Sequence, residues 1–158
     1  MRIATFNINN IKRRLPNLLD WLKKTSSPDI VCLQEVPVWA LPKLAAWSGF
    51  DAFAAVAERG LRPTTLAGWI TRLANGHLRS AISGQANAIL VRPEHDAADL
   101  GLTQISDRGR ERRVCQAVRV GDIVVANLHA STVPPAALEE VERARDGLEH
   151  VRRSSGRR

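Results

Sequence analysis

Two short apolar runs, "RIATFNI" and "IVCLQE", each break off on a polar residue, and the stretch between them has room for a single amphipathic helix. No other feature constrains the chain as much. Residues 2 to 8 have the pattern of a strand. Leu15, Leu18, Leu19 and Leu22 then recur at helical spacing, with Pro16 acceptable in a first turn. "TSSPD" breaks that helix, and "IVCL" is a run of the kind found in strands covered on both faces. Strand, helix and strand over about thirty residues predict a βαβ-like unit whose two strands present their C-terminal ends on one edge. Asn7 and Glu35 are expected to be neighbours there.

That pairing has chemical meaning. A carboxylate at a strand end is a hard oxygen ligand for Mg²⁺ or Mn²⁺, ions held by one or two protein carboxylates with water and substrate phosphate completing the shell. An amide beside it orients a ligand or a phosphate oxygen without adding negative charge. Glu35 taken alone is equally a solvated residue opening a loop.

The chain of 158 residues, 44% hydrophobic and 25% charged, has the composition of a globular protein and the length of one domain. We expect that domain over residues 1–151, with "RRSSGRR" from residue 152 as a flexible basic tail. The formal charge of +7 comes mostly from arginine and favours an anionic partner, nucleic acid ahead of a membrane surface. Cys32 and Cys115 lack CxxC spacing and sit in strand-like runs, which predicts two buried, reduced thiols and no structural zinc. No signal-peptide core opens the chain and no run is long enough to span a bilayer, so a cytoplasmic location is expected. The four lysines lie at or before residue 43 and all aromatic residues at or before Trp69, leaving the second half to build its core from Val, Ile, Leu and Ala.

Further along, "VWALPKLAAWSGF" reads as a short helix stopped at Gly49, with Trp39 and Trp47 in the core. Residues 58 to 84 match no single pattern. Gln85 to Val91 reads as a strand with Asn87 as a structural hydrogen-bonder. "RRVCQAVRV" and "IVVANLHAST" alternate on either side of Gly121-Asp122, the signature of a two-residue hairpin. His129 falls at the end of the returning strand, with Asn127 on the same face as a weaker companion. Arg108, Arg110, Arg112 and Arg113, in "SDRGRERR", fit either a solvated loop or contacts to a phosphate backbone. No aromatic residue interleaves with those arginines, so that segment offers no stacking platform.

The stretch "FNINNIKRRLPNLLDWL…PDIVCLQE" resembles the N-terminus of the exonuclease III group within the endonuclease/exonuclease/phosphatase superfamily. The close likeness covers residues 1 to 35, and the rest is similar to more divergent members. The resemblance implies an α/β (α+β) fold, the N-terminal half of a four-layer αββα sandwich, with a mixed, mostly antiparallel sheet and flanking helices. It also implies that Glu35 binds a catalytic divalent metal, Mg²⁺ or Mn²⁺, that Asn7 helps to hold the metal-phosphate site, and that His129 acts on the phosphate. The superfamily's "GDFN"-like strand and late "DH" pair have no counterpart. Glu149-His150, in "GLEHVRR", is a faint echo inside a helical pattern that begins near Pro135. Two-sheet sandwiches of this kind run to roughly 200 to 250 residues, so we expect a C-terminally truncated member. Its main sheet should then have one uncovered face, available to an oligomer or partner. The expected function is a divalent-metal-dependent phosphodiesterase or nuclease acting on DNA in the manner of exodeoxyribonuclease III, weakened by the missing motifs. A non-catalytic nucleic-acid-binding remnant, or a fragment that depends on a partner, is the alternative.

Overall fold

Backbone groups inside an apolar run must find backbone partners, and in this chain they do so in two sheets. The computed structural model describes residues 1–9, 11–24, 27–58, 84–106 and 112–155. The first sheet contains β1 (Ile3–Asn7), β2 (Ile30–Pro37), β3 (Asp51–Glu58) and β4 (Gln85–Val91), in spatial order β1-β2-β4-β3. β1 and β2 are parallel, from Ile3 opposite Ile30 to Asn7 opposite Gln34, and the other two pairings are antiparallel. The crossover helix α1 (Ile11–Leu22) lays Ile11, Leu18 and Leu22 against the sheet. It begins earlier than its leucine spacing predicted. Pro16 therefore falls in the second turn, where it forfeits the bond to the Lys12 carbonyl.

β2 runs into a 3₁₀ turn (Val38–Lys43) and then α2 (Leu44–Ser48), which stops at Gly49 in the left-handed conformation, φ +72°. Gly49 is where the stop was expected, and its N–H bonds the Ala45 carbonyl at 2.8 Å. Trp47 packs on the core beneath, but Trp39 is 45% exposed, against the expectation that both tryptophans are core. The cause is the 3₁₀ turn, which spends Ala40 and Leu41 on the core and turns Trp39 outward.

The second sheet is an antiparallel meander of β5 (Ala97–Gln104), β6 (Val114–Val120) and β7 (Ile123–Leu128). Gly121 and Asp122 close the β6–β7 hairpin, with Val120 opposite Ile123 and Gly121 at φ +56°. Helix α3 (Pro134–Ser155) follows, so regular structure continues past residue 152, where a flexible tail was expected.

Packing arranges these elements in four layers, helix on sheet on sheet on helix. Leu33, Val36, Ala88 and Leu90 face α1 and α2, whereas Ile30, Cys32, Ile89 and Val91 meet Val118, Val120 and Val125 of the second sheet. Each Val, Leu or Ile side chain among them contributes roughly 1.5–3 kcal/mol when fully buried. The expected uncovered sheet face is thus a correction: strands 97–128 cover it. Outside them, Ala144 of α3 joins Ile105 and Cys115 in a third cluster. The helix comes closest at Gly147, where a Cβ would lie 2.6 Å from Thr103 Oγ1. Among the described residues no helix is long and apolar enough to cross a membrane.

Two measurements follow from this packing. Burial pushes the Cys32 thiol up to about 11 and that of Cys115 upward as well. Native protein at pH 8 should therefore resist a thiol reagent at both positions and react at both once unfolded in guanidinium. Asp29, at the start of β2, accepts the Arg2 N–H at 2.5 Å and lies 3.9 Å from the N-terminal ammonium and 3.8 Å from His95 Nε2. The Arg2 bond, then those nearby charges, hold its carboxyl below the ordinary value. A folded-state value below the unfolded one stabilises the fold at neutral pH, and the gain is lost as pH falls through the folded value. Asp29→Asn should lower the melting temperature at pH 7 and make little difference at pH 3.

Candidate functional site

Parallel β1 and β2 end on the same edge, which brings Asn7 beside Gln34. The next residue, Glu35, has φ +56°, the left-handed region that a residue with a Cβ enters at a cost of about 1–2 kcal/mol. The register of β2 on β4 slips between Leu33 and Val36, so Glu35 occupies a β-bulge. Strict alternation would have turned its carboxylate into the helix-side core beside Leu33. The bulge re-aims it. Glu35, 19% exposed, receives a hydrogen bond from Asn7 Nδ2 at 2.9 Å, and its Oε1 lies 3.4 Å from His129 Nε2. Asn7 Oδ1 accepts the Asn9 N–H at 2.9 Å, so both ends of the Asn7 amide are engaged and its NH₂ orients the carboxylate.

Beneath this trio lies a set of buried amides. Gln34 Nε2 donates to Asn127 Oδ1 at 2.7 Å and to Thr5 Oγ1 at 2.9 Å. Asn127, 2% exposed, donates in turn to the Leu33 carbonyl at 2.9 Å and the Ala88 carbonyl at 3.0 Å. Leu33 and Ala88 form the last register pair before the bulge, so Asn127 supplies donors where the ladder breaks. Asn87 Nδ2 reaches the Val114 carbonyl at 3.0 Å, the structural part expected of it. Gln34 is the residue that sequence reasoning missed. Its signal was an amide inside an otherwise apolar run.

The arginine stretch divides. Arg108 and Arg110 lie outside the described residues. Arg113 donates to the His129 carbonyl at 2.9 Å and the Ala130 carbonyl at 3.1 Å, and its Nε is 3.9 Å from Glu140 Oε1. Glu140 also accepts the Ser131 N–H at 2.6 Å, so α3 and Arg113 together pin the backbone around His129. Arg112 is exposed and lines, with Arg113, Glu35, His129, Gln85 and Asn87, a small pocket that opens to solvent. Glu149 and His150 are not brought to this pocket. They are exposed on α3, where Glu149 lies 3.5 Å from Arg153 one turn on. Asp122 stays in the hairpin turn at the far end of β7.

Among the described residues no three His, Cys, Asp or Glu side chains gather as a metal cluster. The donors on offer are the Glu35 carboxylate and the Asn7 amide, a sparse oxygen set that fits Mg²⁺ or Mn²⁺, which keep much of their water and take ligands from substrate phosphate. It does not fit zinc.

The description "Endonuclease/Exonuclease/phosphatase family" belongs to the family model that matches residues 4–157, nearly the whole chain. The chain belongs to the endonuclease/exonuclease/phosphatase family. Members of that family hydrolyse phosphoester bonds. No curated protein is a significant match in sequence. Among solved structures, a functionally unknown conserved protein from Enterococcus faecalis is similar over 94% of this chain and 61% of its own, at 16% identity and TM-score 0.58. TDP2 from Caenorhabditis elegans is similar over 96% of this chain and 42% of its own, at 16% identity and TM-score 0.60. At such identities the likeness establishes the fold, a partial version of the family's sandwich, and the chain spans less than two thirds of either neighbour's length.

The strain at Glu35 is open to measurement. Both Glu35→Ala and Glu35→Gly remove the carboxylate, but only glycine adopts φ +56° freely. The glycine variant should be the more stable of the two by about 1 kcal/mol in denaturant unfolding. Equal stabilities would mean that the bulge relaxes when Glu35 is replaced.

Proposed function

We propose that the chain is a divalent-metal-dependent phosphodiesterase of the nuclease type, hydrolysing DNA in the manner of exodeoxyribonuclease III at a reduced rate. The observation that carries this reading is the convergence of Asn7 and His129 on one oxygen of Glu35, at 2.9 and 3.4 Å, on the wall of an open pocket. Family membership supplies the reaction class and the +7 charge supports a polyanionic substrate.

In this reading Glu35 and Asn7 hold the cation, with Asn7 fixing the carboxylate's orientation. Held there, such a cation would supply charge neutralisation at the phosphate and polarisation of the phosphoryl oxygen. His129, at the pocket wall with its backbone pinned by Arg113, places a nitrogen donor where charge develops on the phosphoryl group. Arg112, exposed and without a partner among the described residues, steers the substrate's phosphates to the pocket. Asn127, with all its hydrogen-bonding groups spent on Gln34, Leu33 and Ala88, supports the bulge and does not touch substrate.

Glu35 is the acid among the described residues that line the pocket, and it is committed to the cation. No second carboxylate is on hand there to orient the attacking water. That observation favours a second reading, a nucleic-acid-binding domain with residual or no catalysis. A placed proton-transfer group is worth about 10²- to 10⁴-fold, so turnover on abasic-site or blunt duplex DNA with Mg²⁺ should be lower than in a complete family enzyme by at least that factor. It should vanish in Glu35→Ala and with a chelator. Turnover indifferent to both controls would sink the assignment. Vigorous turnover abolished by both would mean that a base exists beyond the pocket-lining residues named here, and would overturn the reduced rate.

A further inference from the structure

An exposed tryptophan follows the strand that carries Glu35. Trp39 is 45% exposed and lies outside the core clusters that hold Trp21 and Trp47. Its place is set by register: Pro37, two residues earlier, pairs with Gln85, which lines the pocket beside Glu35 and His129. Trp39 therefore follows β2 at the end of the sheet where Asn7 and Glu35 lie, beyond the residues that line the pocket. It does not stand alone. The Trp47 ring meets it edge-on, with centroids 6.4 Å apart and planes at 74°, a contact that braces one ring against the other. The ammonium of Lys43 lies 5.9 Å from the centre of each ring.

We propose that Trp39 and Lys43 form a subsite for a nucleotide flanking the one in the pocket, in a single-stranded segment of nucleic acid. The base stacks on the exposed indole, Trp47 holds that indole in place, and Lys43 takes the adjoining phosphate. Stacking on an aromatic ring is tolerant of sequence because every base has a π-face. The subsite thus adds affinity and direction without selecting a base. This inference rests on the nucleic-acid reading above, and the test separates the two.

The experiment measures binding of the full chain to a short single-stranded thymidine oligonucleotide and to an abasic oligonucleotide of equal length, across a salt series, without Mg²⁺. Wild-type protein should bind both with salt-dependent affinity and prefer the base-bearing strand. Trp39→Ala should weaken binding to the thymidine strand roughly tenfold, as loss of one stacked base does, and leave abasic binding and the salt slope unchanged. Trp39→Phe should recover much of the loss. Lys43→Ala should instead lower the salt slope by about 0.7 for one phosphate contact on a single strand. If Trp39→Ala binds both strands as wild type does, or weakens both equally, the subsite is wrong while the nucleic-acid reading stands. If wild-type protein binds neither strand at low salt, both fall. Trp39 is outside the core, so the alanine variant is expected to melt within a few degrees of wild type, and a thermal melt run alongside verifies this.

Discussion

Burying a side-chain amide is costly unless it finds hydrogen-bond partners, and the junction of the two sheets is organised around two amides that bond each other and the backbone. Gln34 of the first sheet and Asn127 of the second meet at 2.7 Å, and the second NH₂ function of the pair goes to the carbonyls of Leu33 and Ala88. Apart from these and the Asn87 bond to the Val114 carbonyl, the sheets touch mainly through Val, Ile and Cys side chains, which tolerate sliding. Aliphatic contacts hold the layers together, but hydrogen bonds of fixed length determine where β7 lies along β2. Because His129 follows β7 and Glu35 follows Gln34, one amide contact sets the separation of the two groups on which the proposed chemistry depends.

The first sheet was legible where its pattern is strong. The βαβ unit came from apolar runs with helical spacing between them, and the β6–β7 hairpin from alternation around Gly121-Asp122. β3 and β5 were not legible, each for a physical reason. "DAFAAVAE" is rich in alanine, whose strand preference is weak, and acquires its conformation by pairing with β4. "AADLGLTQ" carries Gly101 at φ +87° beside a register shift, which breaks the alternation that would have announced a strand. The expectation of an uncovered face came from chain length, and β5, β6 and β7 supply the cover within that length.

The site shows the same division. Asn7 and Glu35 were conspicuous because each interrupts an apolar run, and His129 because it ends one. The difference between Arg112 and Arg113 was invisible, since both line the pocket and only tertiary contact ties Arg113 as well to the His129 and Ala130 carbonyls. Trp39 was misjudged for a related reason: hydropathy places an indole inside, and the 3₁₀ turn that rotates it outward leaves no mark on periodicity.

The bulge at Glu35 has a bearing on how such a chain changes over time. Leu33 and Val36 both face the helix-side core although they are three positions apart, so Glu35 is the surplus residue that resets the strand's alternation. Removing that one residue would leave Gln34 facing the second sheet and Val36 facing the helices, in an ordinary strand with the core intact. The catalytic-looking carboxylate is in this sense an insertion that the fold accommodates and does not require. Loss of a single codon would convert the site into plain scaffold, and selection for folding alone would do nothing to oppose it.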